Sequence, residues 1–206
     1  EMRNAALDAL QNERFVMGES VFKFEEEFAR YCGTKYAISM SSGTFALQLS
    51  LIALGVTRGD DVVTTPFSFV ATANAALHVG AVPVFADIDV GTCNIDVELA
   101  KEKLTEKTRA VIPVHLYGFP ADLKGILDSF RDRKCAVVED ACQAHGAEYY
   151  GQKVGALGDV GCFSFYPSKN MTVCGDGGMV VSNDEDVARK VARLRDCGRA
   201  SHYEHD

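Results

Sequence analysis

Short valine-rich runs alternate with helical segments along most of this chain, and that alternation restricts its fold more than any other feature. Residues 35–40, 62–65, 82–86, 109–114, 135–139 and 178–182 have the apolar, β-branched character of strands. Helical patterns lie between and around them. One occupies the N-terminal residues, and a second covers 20–32, with Phe24 and Phe28 set among Glu25-Glu26-Glu27 and Gly33 as a stop. Ser41-Ser42-Gly43-Thr44 opens a third that runs to Leu54 and is closed by Gly55. An alanine-rich segment at 68–78 follows, then 97–104, 122–130 and 184–195. Strands alternating with helices predict an α/β fold: three layers, α/β/α, around a mainly parallel mixed sheet. After Asp140 the pattern changes to shorter pieces around 147–150 and 161–165, expected to be antiparallel. No internal repeat, low-complexity segment or flexible linker interrupts the chain, so residues 1–206 are expected to form one domain.

In sheets of this kind ligands collect outside the carboxyl ends of the strands. The strand ends here carry Ser41-Ser42-Gly43-Thr44, Phe67-Ser68-Phe69, Asp87, His115, Asp140 and Ser164, which suit a small anionic aromatic group. Lys169 follows the strand that ends at Ser164 and lies 29 positions after Asp140. A lysine and a carboxylate, each delivered by a strand end, are what pyridoxal phosphate chemistry requires. The amine condenses with the aldehyde, and the carboxylate keeps the pyridine nitrogen protonated so that the ring can accept electrons. Ser42-Gly43-Thr44 at a helix start offers N–H groups and a dipole to a phosphate. Each part also has a plain alternative. Lys169 could be a solvated surface lysine, Ser42 and Thr44 ordinary caps, Ser164 a strand serine and Phe69 a core residue. Asp140 could cap a turn, Gln143 could be exposed, and His115 could be a satisfied core histidine. No Walker loop or Gly-x-Gly-x-x-Gly run is present.

Bulk properties narrow the remaining classes. The 206 residues carry a net charge of -8, and no Lys/Arg cluster breaks that balance. Nucleic-acid binding, which takes a concentrated basic face, is disfavoured. No apolar run reaches membrane-spanning length, the first residues do not resemble a signal peptide, and a cytoplasmic protein is the simplest reading. Seven cysteines, an odd number without Cys-x-x-Cys spacing, are expected as small buried thiols, not as disulfides or zinc ligands. His202 and His205 lie in a polar tail without the flanking ligands a metal needs, and no metal site is expected.

Taken together, the motifs resemble the nucleotide-sugar aminotransferase family of pyridoxal phosphate enzymes (the DegT/DnrJ/StrS group, fold type I). The matching stretches include Phe15-Val16-Met17-Gly18, Phe24-Glu25-Glu26-Glu27-Phe28-Ala29, Ser42-Gly43-Thr44-Phe45-Ala46-Leu47 and Phe69-Val70-Ala71-Thr72-Ala73-Asn74-Ala75. They continue through Pro113-Val114-His115-Leu116-Tyr117-Gly118, Glu139-Asp140-Ala141-Cys142-Gln143-Ala144-His145-Gly146, Phe163-Ser164-Phe165-Tyr166-Pro167-Ser168-Lys169-Asn170 and Gly177-Gly178. They span essentially the whole chain in family order.

The resemblance implies a role for each matching residue. Lys169 would form the Schiff base and move the proton, Asp140 would pair with the pyridine nitrogen, and Gln143 would lie near the phenolic oxygen. Phe69 would cover the ring face, while Gly43, Thr44 and Ser164 would contact the phosphate. The implied reaction is a two-step transfer: L-glutamate (or glutamine) gives its amine to the cofactor, and a keto sugar, typically nucleotide-linked, collects it. A homodimer is also implied. Family members carry a smaller C-terminal domain, nothing here corresponds to it, and the expectation is that 1–206 is the cofactor-binding large domain. Cys197-Gly198-Arg199 departs from the His-Gly-Arg often found in the family. Two other outcomes fit the same motifs: a related sugar dehydratase, in which histidine can replace the lysine, and a non-catalytic fragment that keeps the fold. An amino-cyclitol in place of the nucleotide sugar is a further variation within the family.

Overall fold

The computed structural model describes residues 1–130 and 133–199. The strands are β1 (Tyr36–Met40), β2 (Asp61–Thr64), β3 (Val82–Phe85), β4 (Thr108–Val111), β5 (Ala136–Asp140), β6 (Glu148–Tyr149), β7 (Gln152–Lys153), β8 (Val160–Ser164) and β9 (Gly178–Ser182). Seven of them form one sheet in the order β1-β9-β8-β5-β4-β2-β3, and β6 and β7 form a separate hairpin. Only β9 runs against its neighbours, pairing antiparallel with β1 and with β8; the pairs β8–β5, β5–β4, β4–β2 and β2–β3 are parallel. The segment around 147–150 is antiparallel as expected, but β8 corrects the expectation for 161–165. It runs parallel to β5 and antiparallel only to β9, because a buried strand pairs along both edges and each partner sets its own direction. Pro83 sits in β3, an edge strand, where its missing N–H costs no ladder bond.

The helices are α1 (Met2–Asn12), α2 (Glu19–Cys32), α3 (Gly43–Ala53), α4 (Ala71–His78), α5 (Val97–Glu102), α6 (Leu123–Phe130) and α7 (Glu185–Arg195). Side chains alternate across the sheet, and the buried clusters show which helices cover which face. Ile38, Val62, Ala110, Val138, Cys162 and Val180 pack with Leu47 of α3, Ala75 of α4 and Val191 of α7. On the opposite face Phe163, Phe165 and Met179 meet Phe28 of α2, while Val63, Val111 and Val137 meet Ala100 of α5 and Ile126 of α6. The three-layer arrangement predicted from the alternation is therefore present. Each fully buried Val, Leu or Phe contributes about 1.5–3 kcal/mol relative to exposure.

Local signals account for the helix limits. Gly33 ends α2 in the left-handed conformation at φ 75°, which glycine adopts without a Cβ clash. The Asp96 and Asp184 side chains cap α5 and α7 by accepting from Leu99 and from Asp186 and Val187. α3 buries Ala46, Leu47, Leu49, Ser50 and Leu51 together, the pattern of a helix covered on most sides. It lies against the sheet beside α4 and α7, and its N-terminus faces the carboxyl ends of the parallel strands. The thiols are more varied than expected. Cys32, Cys135 and Cys162 are buried, but Cys174, in the connection between β8 and β9, and Cys197, in the turn after α7, are exposed. His202 and His205 lie outside the described residues.

Strand β8 passes so close to the 154–158 segment that no side chain fits at Gly161. A Cβ there would lie 2.2 Å from the Gly155 carbonyl oxygen and 2.3 Å from its Cα. Gly161→Ala is expected to destabilise the protein by about 2 kcal/mol or more, since backbone must move to admit the methyl group. Urea denaturation of the two proteins side by side measures the difference.

Candidate active site

Because β1, β2, β4, β5 and β8 all run in one direction, their carboxyl ends meet along one edge of the sheet. A cavity of about 590 Å³ opens there. Gly43, Thr44, Phe69, Asp140, Gln143, Ser164 and Lys169 all line it, so every site residue expected from the sequence is brought to one place.

The start of α3 forms one wall. Ser42 caps the helix, its hydroxyl accepting the Phe45 N–H at 3.1 Å, which is the ordinary capping role considered for this run. The amides of Gly43 and Thr44, in the first turn, have no carbonyl one turn back to bond, and the helix dipole adds partial positive charge there. Gly43 is required by contact. A Cβ at this position would lie 2.7 Å from the Ser164 Cβ and 2.8 Å from the Cys142 Sγ. Ser164 adds a hydroxyl whose oxygen accepts the Tyr166 N–H at 3.3 Å, leaving its proton for a ligand. Two amides, two hydroxyls and a helix N-terminus make an anion cradle.

Asp140 ends β5 and is 6% exposed. Its Oδ2 accepts from the Thr72 hydroxyl at 2.8 Å and its Oδ1 from the Cys142 N–H at 3.2 Å. Gln143 follows on the turn after β5. Its Oε1 accepts the Tyr117 N–H at 3.0 Å, which leaves the side-chain NH2 as the group offered to the cavity. Tyr117 itself has φ 53°, an uncommon backbone conformation for a residue with a side chain. Phe69 is 65% exposed beside the cavity, so it is not the core residue that a bland reading allowed. Lys169 lies on the turn after β8, its N–H bonded to the Tyr166 carbonyl at 2.8 Å. Burial, with the Asp140 charge beside it, pushes the Cys142 thiol well above its ordinary range, so it is neutral in this setting.

Beneath the cavity, on the other face of β5, Glu139 is fully buried. Its carboxylate accepts from Gly155 N at 2.7 Å, Leu157 N at 2.8 Å, Gly158 N at 2.6 Å and the His115 Nε2 at 3.0 Å. The His115 Nδ1 accepts the Ala121 N–H at 3.0 Å, so the ring carries its proton on Nε2 and donates it to Glu139. His115 is thus a satisfied core histidine, one of the two readings open for it. Asp87, another polar strand end, does not line the cavity; it bonds the Ile88 N–H at 2.8 Å. Ser68, Thr72, Tyr166, Ser168 and Asp176 also line the cavity, although the sequence assigned none of them a role. Among the described residues no group of three or more His, Cys, Asp or Glu side chains could hold a metal ion.

The fold is shared with known proteins. The family model described as the DegT/DnrJ/EryC1/StrS aminotransferase family matches residues 1–206. A curated relative from Acidithiobacillus ferrooxidans, named UDP-N-acetyl-3-dehydro-alpha-D-glucosamine 3-aminotransferase, is 44% identical over 96% of this chain and 53% of its own length. Among solved structures, S. venezuelae DesV superposes with TM-score 0.96 and 39% identity, covering 100% of this chain and 55% of that one. A GDP-4-keto-6-deoxymannose-3-dehydratase, ColD, superposes with TM-score 0.91 and 31% identity, covering 98% of this chain and 54% of that one. The chain thus spans about half the length of the relatives it matches.

His145 lies on the sheet face away from the cavity, its ring centroid 5.4 Å from that of Phe163 and 5.6 Å from that of Phe165. Burial pushes the imidazole down from 6.5 to about 4, outweighing the Ser164 backbone group, which favours the charged ring. The unfolded chain therefore takes up this proton first as pH falls. The associated stability is complete above pH 6.5 and is lost as pH drops towards 4. Urea midpoints between those values are expected to fall more steeply for the native protein than for His145→Phe.

Proposed function

This chain belongs to the DegT/DnrJ/EryC1/StrS aminotransferase family, and on that premise we propose that it forms the cofactor-binding part of a pyridoxal phosphate aminotransferase acting on a keto sugar. The observation that carries the reading is the meeting of Lys169, the Asp140 carboxylate and the α3 anion cradle on one cavity. When bound, pyridoxal phosphate supplies an aldehyde that takes up an amine and a ring that accepts electrons. Gly43, Thr44 and Ser164 hold the phosphate through N–H and O–H donors. Asp140 would accept a hydrogen bond from a protonated ring nitrogen, and the NH2 of Gln143 would be the donor for the phenolic oxygen. Phe69 covers one ring face by offset stacking. Lys169 Nζ is the amine that would hold the cofactor's aldehyde end, and when free it would be the base placed to move a proton in the cavity.

L-Glutamate (or glutamine) is the proposed donor and a nucleotide-linked keto sugar the acceptor. Support for the sugar comes from the relative that is named as an aminotransferase of a UDP-linked dehydro sugar. The presence of Lys169 in the cavity favours amino transfer over the dehydration named for ColD. Residues 1–206 are read as the large domain, which agrees with the relatives' being about twice as long. A homodimer is part of the proposal; exposed Phe15, Val16, Val70 and Leu77 provide apolar surface for one. A cytoplasmic location is proposed with it, and no helix among the described residues is long and apolar enough to cross a membrane.

The visible spectrum of the intact protein with pyridoxal phosphate tests the assignment. A band that is absent in Lys169→Ala and bleaches on adding L-glutamate is expected. Sugar product should then carry nitrogen in equal amount to the keto acid released; loss of water from the sugar without amino-sugar formation would identify a dehydratase instead. Gly43→Ala, whose methyl group would press on Ser164 and Cys142, is expected to weaken cofactor binding roughly tenfold or more by displacing the helix start. Equilibrium titration with pyridoxal phosphate measures it.

A further inference from the structure

The hydrogen bonds around Asp140 run in one direction. Thr72 is 2% exposed, and its hydroxyl reaches the Asp140 Oδ2 at 2.8 Å. An ionised carboxylate can only accept, so the single Thr72 proton goes to Asp140. The Ser68 and Thr72 oxygens are 2.9 Å apart. With Thr72's proton committed, Ser68 must be the donor in that contact. The chain therefore runs one way, from the Ser68 O–H to Thr72 and from the Thr72 O–H to Asp140. Ser68 lines the cavity with only lone pairs to offer.

Local structure builds this arrangement. Ser68 and Thr72 are four positions apart at the entry to α4, where the Thr72 N–H bonds the Phe69 carbonyl at 3.1 Å and the Asn74 N–H bonds the Val70 carbonyl at 2.9 Å. One turn of chain stacks the two hydroxyls and also carries Phe69. Thr72 fixes one carboxylate oxygen while the Cys142 N–H fixes the other. A carboxylate held from both oxygens is restrained from rotating, and charge-assisted donors stabilise its negative charge.

We propose that Ser68 and Thr72 form an oriented hydrogen-bond relay that aims the Asp140 carboxylate and holds its charge for the cofactor's ring nitrogen. The proposal rests on the assignment of Asp140 made above. Thr72 and Ser68 are positioning residues: they act through Asp140.

The test compares the affinity of the intact protein for pyridoxal phosphate and for its 1-deaza analogue, in which carbon replaces the ring nitrogen. A residue that acts through Asp140 matters only when that nitrogen is present. Thr72→Val is expected to lose roughly tenfold in affinity for pyridoxal phosphate, the order expected for a hydrogen bond to a charged group, and to bind the analogue as the native protein does. Thr72→Ser should restore the difference, and Ser68→Ala should show a smaller loss with the same selectivity. Equal losses for both cofactors, or no loss for either, would overturn the relay. If Thr72→Val does not fold, Ser68→Ala decides the question, because selective weakening supports the relay and unselective binding refutes it. A native protein that binds both cofactors equally would refute the assignment of Asp140 and the relay with it. No Lys169-dependent band in the native protein would refute the functional reading itself.

Discussion

Glu139 is a carboxylate at the centre of the molecule with no exposure to solvent. Leaving such a charge without partners would cost several kcal/mol, so its surroundings must supply them. They do so from two segments: the amides of Gly155, Leu157 and Gly158, and the His115 imidazole, which is itself tied to Ala121. The end of β5, the loop after β4 and the turn before β8 are thereby joined at one point. Side chains alternate along a strand, so fixing Glu139 on one face fixes Asp140 on the other. The cavity's carboxylate inherits its position from a buried ion that never touches a ligand.

The glycines act on the same edge by letting backbones approach. At Gly178 a Cβ would lie 2.4 Å from the Ser42 carbonyl oxygen, and at Gly43 it would meet Ser164 and Cys142. β9, β8 and the start of α3 can therefore converge closely enough for amides from a helix and a hydroxyl from a strand to share one anion. Phe69 and Thr72 illustrate the economy of the design: one short segment supplies an aromatic face and the hydroxyl that bonds Asp140.

Much of this was legible before the structure. The alternation of valine-rich runs with helices marks an α/β layer because a parallel sheet needs a crossover helix between strands. Gly43, Thr44, Phe69, Asp140, Ser164 and Lys169 stand at or after strand ends or open a helix, where parallel sheets place their ligands. Gln143 and the individual roles came from the family resemblance. Thr72 could not be named, since nothing in Ala71-Thr72-Ala73 separates it from a helical spacer until Asp140 is seen beside it. Asp87 was an attractive strand-end residue, yet its carboxylate turns to its own chain neighbour.

The sequence by itself determined which elements form, the edge on which polar residues gather, and the pairing of a lysine with a carboxylate. These depend on local propensity and on the period of the apolar pattern, both of which are written along the chain. Tertiary structure alone decided that β8 is parallel to β5 but antiparallel to β9, that Gln143 presents its NH2, and that Ser68 donates through Thr72 to Asp140. Each depends on residues distant in sequence coming within hydrogen-bond reach, and a hydrogen bond's direction is set by the partner a proton has already taken.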